Sequence, residues 1–347
     1  IAALIITSIS LHIPKVKREH SIDYLGALLL VSGVSALLLG ISVYGPQDGW
    51  QTSKTLITIA AALALMLLFI FQESRAKEPI LPLTLFKNHT FSVTSFMAFI
   101  IGAGMFGAII MLPLYFQIVK GDSATSAGLK LIPFMIGIVV MSIVSGKLIS
   151  KHGHYKRYPI IGLALMTTGL AMLSTLTETT AFWKLAIYAI LIGAGLGFSM
   201  QTIVIALQNS VEFKDMGVAT SANTFFRSIG ATMGVALFGT IYASRLAHNL
   251  PIEIEKIRAS NPAALAGATP EKFEALKDNT AVLQTFTPEL QAGIIHAFVN
   301  SFHVVFLATV PITIIGFLVA FMLRETPLRT GVGHQAAKEE AAGEALA

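Results

Sequence analysis

Residues 125–157 read TSAGLKLIPFMIGIVVMSIVSGKLISKHGHYKR. From Leu131 to Gly146 no side chain carries a charge. Lys147, Lys151, Lys156 and Arg157 then crowd the far end. A helix at a soluble surface carries charge along one face for its whole length. Charge confined to the ends of an apolar run, here Lys130 at one and the denser cluster at the other, describes a helix that crosses a hydrocarbon layer and stops in a polar headgroup region. About 20 apolar residues, each rising 1.5 Å, span a core ~30 Å thick.

The same pattern recurs on both sides of this stretch. Apolar runs at 22–44, 54–72, 90–118, 125–148, 158–177, 184–208, 217–243 and 297–323 each have the length of a span. Residues 1–13 read as the end of one more, so the chain is expected to be the C-terminal part of a longer protein. All spans should be helices, because an open sheet edge leaves unpaired backbone groups in lipid. The fold class is an all-α polytopic membrane protein.

Composition agrees. Of 347 residues, 54% are hydrophobic and 12% charged, and the mean hydropathy is +0.73. Soluble domains carry about 25% charged residues, so a soluble enzyme, a disordered chain and a disulfide scaffold are excluded. The net charge of +5 would suggest nucleic acid in a soluble protein. Here its placement matters more, and nucleic acid is not expected as a partner. The chain has no cysteine, which removes thiolate metal sites and redox pairs.

Placement of Lys and Arg sets an expected orientation. With the tail 324–347 inside, the inner segments hold Lys15, Lys17, Arg18, Arg75, Lys77, Lys87, Lys151, Lys156, Arg157, Lys214, Arg324, Arg329 and Lys338, with Lys147 adjoining. The short outer links hold only Lys120, with Lys54 and Lys184 at helix ends. The chain should sit in a bacterial cytoplasmic (inner) membrane, crossing it many times, with a cytosolic C-terminus. Residues 244–296 form a long polar outer segment broken by Pro251, Pro262, Pro270 and Pro288. Short helices at 253–260, 271–286 and 289–297 are expected there, lying on the outer surface. The tail from Thr330 onward has the composition of a disordered segment.

The basic stretch Ser145-Gly146-Lys147-Leu148-Ile149-Ser150-Lys151-His152-Gly153-His154-Tyr155-Lys156-Arg157 resembles the inter-helix loop signature of the major facilitator superfamily. Ser150 stands where first-half copies of that signature carry Asp. Further stretches narrow the likeness: Asp23-Tyr24-Leu25-Gly26, Pro79-Ile80-Leu81-Pro82-Leu83-Thr84-Leu85-Phe86, Leu112-Pro113-Leu114-Tyr115-Phe116-Gln117, and Gly217-Val218-Ala219-Thr220-Ser221-Ala222 running on to Arg227-Ser228-Ile229-Gly230. In this order they are similar to the fourteen-helix drug–proton antiporter family, the multidrug efflux permeases.

That resemblance implies a division of the chain. Residues 1–13 would end a truncated helix, and 14–89 would form two central helices with cytosolic linkers. Residues 90–323 would be the C-terminal six-helix bundle, including the outer segment 244–296, and 324–347 a cytosolic tail. It also implies a secondary transporter, not an enzyme, that exports amphipathic, cationic or neutral, drugs or other toxic organic compounds. Transport would be by alternating access, with the proton gradient as energy source and no cofactor. Its partners would be the bilayer, small amphipathic substrates, protons and an N-terminal bundle of the same chain. An exporter dedicated to one metabolite or siderophore, and a non-transporting sensor or scaffold, are the alternatives.

Arg227 is the most informative single residue. It lies about 15 Å along its span, where an Arg costs ~2.5–3.5 kcal/mol even on the lenient insertion scale. It must face a wet cavity or a partner. It either controls a proton or substrate site, or is a structural cation beside Asn223 on the same face. Gly230 and Gly234 offer a small-residue face for helix packing. Gly193-Ala194-Gly195-Leu196-Gly197 has no preceding strand and reads as packing, not as a phosphate loop. Gly146 and Gly153 should allow close helix approach and a tight turn, around which Lys147, Lys151, Lys156 and Arg157 either latch the opposite bundle or anchor to headgroups. Met105, Phe106, Tyr115, Gln117, Met200, Gln201, Asn223 and Phe226 are candidate cavity-lining residues, because Met and Phe give adaptable apolar walls. Asp23 reads as a helix-start carboxylate. His296 and His303 share a face without a carboxylate in the pattern, so no metal site is expected.

Overall fold

The computed structural model describes residues 23–76, 78–265, 268–269, 271–273 and 280–328. Eight long helices account for most of them. They are α1 (Tyr24–Leu39), α2 (Ser53–Glu73), α3 (His89–Ile118), α4 (Ile132–His152), α5 (Arg157–Leu173), α6 (Phe182–Ser210), α7 (Met216–Ser260) and α8 (Pro288–Ala320). Seven helical stretches are long and apolar enough to cross a membrane, and α5 is a shorter apolar helix. The spans read from the sequence correspond to these, except that residues 158–177 shorten to a helix ending at Leu173 and a turn. The remnant 1–13, Lys15, Lys17, Arg18, Lys77, Arg329 and Lys338 lie outside the described residues.

Helices α1 and α2 form an antiparallel pair. Asp23 caps α1 by accepting from the Gly26 N–H at 2.8 Å, as its position in the first turn suggested. The pair meets the bundle through an apolar cluster of Phe69, Leu81, Leu85, Phe91, Leu207, Val211, Ala219 and Ala222. Glu73 is buried, and its carboxylate accepts from the Ile80 and Leu81 N–H groups at 3.2 Å each. It thereby fixes the turn that leads into α3.

Helices α3 to α8 make the bundle, with α6 at its centre. Gly193 and Gly197 lie against the Phe134 and Ile138 carbonyls of α4, while Gly195 lies against Gly162 of α5. One short run therefore seats two helices, since residues two apart on a helix point to different sides. Alternation along the chain gathers two opposite ends. At one, Asn88 Nδ2 donates to the Ser210 carbonyl at 2.7 Å and His89 meets the Met322 carbonyl at 2.9 Å. At the other, the Tyr115 hydroxyl donates to the Thr177 carbonyl at 2.7 Å and Lys120 Nζ to the Glu178 carbonyl at 2.6 Å. Burial and the neighbouring Lys130 charge push the Lys120 amine below its ordinary pKa.

The segment 244–296 differs from expectation. No separate helix starts at 253: α7 continues unbroken through Pro251 to Ser260, and the expected helix 289–297 is the opening part of α8. The reason is a stripe of Leu246, Leu250, Ile254 and Ile257 on one face, packed on the core that includes Leu290 and Ile294 of α8. Seventeen residues beyond 243 extend the helix by about 25 Å. Glu253 bridges His296 at 3.2 Å, and Asn249 Nδ2 donates to Ser301 Oγ at 3.2 Å. Burial of one face against α8 outweighs the hydrogen bond lost at Pro251. Of the expected helix 271–286, residues 274–279 lie outside the described residues; 271–273 are helical and Thr280–Thr285 form a 3₁₀ turn.

Candidate functional site

The site is built by one close helix crossing. A methyl group on Gly230 would strike the Phe99 carbonyl of α3, one on Gly234 would lie 2.6 Å from the Ala103 oxygen, and one on Gly102 would lie 2.9 Å from the Ala231 nitrogen. Glycines on both helices thus let the α3 and α7 backbones touch. Asn223 is 2% exposed, and its Nδ2 donates to the Thr94 carbonyl of α3 at 3.1 Å. These contacts fix the register that places Arg227 beside α3.

Ala98 and Ile101 of α3, Met200 and Ile203 of α6, and Asn223 and Arg227 of α7 surround a small cleft of about 10 Å³. That is room for about one water, far below the ~300–1,000 Å³ of a small-molecule pocket, so a larger ligand would need further walls. Arg227 is partly exposed and has no hydrogen-bond, ion-pair or ring partner among the described residues. Its five N–H donors are uncommitted.

A second feature went unread in the sequence. Ser221, Thr224, Ser228 and Thr232 are exposed along α7. Each of the last three bonds back to the carbonyl four residues earlier, at 3.1, 3.0 and 2.9 Å. The exposed face of α4 is instead Met135, Ile136, Val139 and Val140, and that of α8 includes Leu307, Ile314 and Leu318. The apolar faces suit lipid; the hydroxyl stripe suits water or another polar surface. Its spacing of three and four residues was the available signal.

The structure brings Met200, Asn223 and Arg227 together, and leaves the other candidates elsewhere. Tyr115 is fully buried and bonded to Thr177, about 25 Å of helix from Ala98; it belongs to the core. Gln117 lies farther along α3 and donates to the Pro113 carbonyl of its own helix at 3.4 Å. Met105 packs against the main core. Phe226 sits edge-on to Phe86 at 6.0 Å, in the cluster joining α1 and α2 to the bundle. Gln201 is exposed beside Met200 without lining the cleft. The Phe106 side chain lies outside the described residues.

The basic loop is ordered by groups that carry no signature in the sequence. Gly153 ends α4 in the left-handed region at φ 74°, which glycine adopts at no steric cost. Around Gly146, a Cβ would find nothing within 4 Å. It therefore serves no close approach, contrary to expectation, because it faces away from the neighbouring helices. Lys147, Lys151 and Arg157 are exposed and Lys156 is partly so. Between them Tyr155 is fully buried. Its hydroxyl donates to the Arg324 carbonyl or to Thr326 Oγ1, both at 3.0 Å, and accepts from the Thr326 N–H at 3.0 Å. Asn209 Nδ2 donates to Thr326 Oγ1 at 2.9 Å, and His154 meets Glu325 at 3.1 Å. The segment after α8 is thus a strap across one end of the bundle.

The profile of the Major Facilitator Superfamily matches residues 1–235. The chain belongs to the major facilitator superfamily. That family is one of membrane transporters, not enzymes, and the chain is a multi-pass membrane protein of that type. An uncharacterized member from Mycobacterium tuberculosis is 35% identical over 331 residues, covering 94% of this chain and 46% of its own length. The facilitator chain therefore spans about half of that relative. A tetracycline resistance determinant of Streptomyces rimosus is 32% identical, covering 92% of this chain and 96% of itself. The crystal structure of a bacterial homologue of the human lysosomal transporter Spinster, inward-facing and occupied, aligns over 86% of the facilitator chain and 64% of its own. At 19% identity and a TM-score of 0.50 it shows the shared fold.

Proposed function

We propose that the full protein exports amphipathic organic compounds across a bacterial inner membrane in exchange for protons. The observation that carries this is Arg227: an uncommitted cation in a mid-span cleft that opens beside a stripe of hydroxyls. A purely structural helix bundle gains nothing from a charge that costs ~2.5–3.5 kcal/mol at that depth. A cleft too small for a drug, with one side open, is what half of a two-bundle transporter supplies; the second bundle would close it near the membrane centre. The Streptomyces rimosus relative, named for resistance to tetracycline, supports efflux of organic compounds. Lys147, Lys151, Lys156 and Arg157, which flank Tyr155 and its strap, would pair with the second bundle in one conformation and release it in the other. The basic end then faces the cytosol, where Lys and Arg accumulate.

The test is transport by the full-length protein in proteoliposomes under an imposed pH gradient. Uptake of an amphipathic compound that collapses with the gradient, and proton movement in the opposite direction, support the proposal. Uptake indifferent to the gradient contradicts proton coupling.

A further inference from the structure

We propose that the cleft between α3, α6 and α7 is a half-site for an oxyanion group of the transported compound. The inference rests on the efflux reading and adds the class of substrate. Helices α3 and α6 contain no Asp or Glu, and neither does α7 from Met216 to Ile252. The helices that form the cleft therefore hold no counter-ion for Arg227. The other walls, Ala98, Ile101, Met200 and Ile203, are apolar. Asn223 adds an amide, already anchored to Thr94 and so fixed in place. The arrangement is one cation set in an apolar cup. A guanidinium fork matches the two oxygens of a carboxylate or sulfonate and holds them in a plane. The apolar walls beside the guanidinium offer a flank against which the adjoining part of an amphipathic molecule can rest. A cationic head at this point would meet repulsion and find no acceptor charge. The resemblance implies cationic or neutral cargo; the charge in this cleft favours the opposite sign.

An acidic side chain elsewhere in the full-length protein could supply the same oxyanion chemistry. Two permanently charged probes separate the sources: 2-naphthalenesulfonate and (2-naphthylmethyl)trimethylammonium. Each is offered to full-length protein in proteoliposomes with an imposed pH gradient, and rates are normalised to folded protein. Hydrogen bonds to a charged group are worth about ten- to a hundredfold in affinity. Wild type should move the sulfonate at least about tenfold faster than the ammonium at low concentration. Arg227→Gln should abolish that preference, and Arg227→Lys should leave part of it, since the charge survives without the fork. Arg227→Lys also keeps the test decisive if Arg227→Gln folds poorly. If Arg227→Gln lowers both probes alike, the partner is a side chain of the protein and the inference fails. A wild type that moves only the ammonium also overturns it while leaving efflux standing. A wild type that moves neither probe contradicts the efflux reading itself.

Discussion

Replacing Gly230 by Ala tests whether the α3–α7 crossing builds the cleft. A methyl there would overlap the Phe99 carbonyl oxygen and lie 2.7 Å from its carbon. Both atoms are helix backbone, so no side chain can swing aside. The two helices must separate locally by about an ångström, which also loosens the contacts at Gly102 and Gly234. Overpacking of this kind costs about 1–3 kcal/mol. Against it stands a gain of ~0.8–1 kcal/mol from the better helix propensity of Ala. The net expectation is a loss of about 0–2 kcal/mol, a fall of up to a few degrees in the thermal midpoint. Gly239, nine residues further along the same helix, supplies the control. A Cβ there would find nothing within 4 Å, so Gly239→Ala should keep only the propensity gain and not lower the midpoint. Thermal unfolding of the two purified full-length variants in detergent reads the difference. Transport should fall with Gly230→Ala as well, because separating α3 from α7 moves Arg227 away from Ala98 and Ile101. Equal midpoints for the two variants, or a larger loss at Gly239, would refute the close-crossing argument.

Two further outcomes follow from the ends of the bundle. Tyr155→Phe removes a hydroxyl that serves both Arg324 and Thr326, at a cost of ~1–2 kcal/mol; limited proteolysis should cut the segment 324–328 faster than in wild type, and an unchanged rate would show that the strap does not depend on it. A single cysteine at position 260 should react with an impermeant thiol reagent in intact cells and one at position 154 should not; the reverse labelling would invert the proposed orientation.

The helices could be read from the sequence because lipid demands long apolar runs, and α4 shows this from Leu131 to Gly146. Arg227 stood out for the same reason, since a charge inside such a run is costly and rare. The extension of α7 was hidden because Glu253, Lys256 and Arg258 dominate its composition, while the Leu246–Ile257 stripe that buries one face is visible only as a period. The hydroxyl stripe was overlooked because Ser and Thr are nearly neutral in hydropathy, and only their shared exposure gives them meaning. Tyr115 was misplaced for a different reason: an aromatic ring with a polar tip suits a cavity wall or a core hydrogen bond equally well. Its position along α3 relative to Ala98 decides between them. The partners of Tyr155 and Asn209 include backbone carbonyls, which leave no trace in side-chain patterns. Gly193, Gly195, Gly197, Gly230 and Gly234 were legible as packing residues, but which helix each one meets was not.

The central claim is that the Arg227 face of α7 lines the path of the transported compound. Single cysteines at positions 221, 224, 228 and 232, introduced into a cysteine-free full-length protein, test it most directly. The same substitution at positions 136 and 139 on the apolar face of α4 is the comparison. A water-soluble thiol reagent should modify the α7 positions during turnover, more slowly when a transported compound is present, and should leave the α4 positions unmodified. Unreactive α7 cysteines beside reactive α4 cysteines would place α7 against lipid and contradict the account.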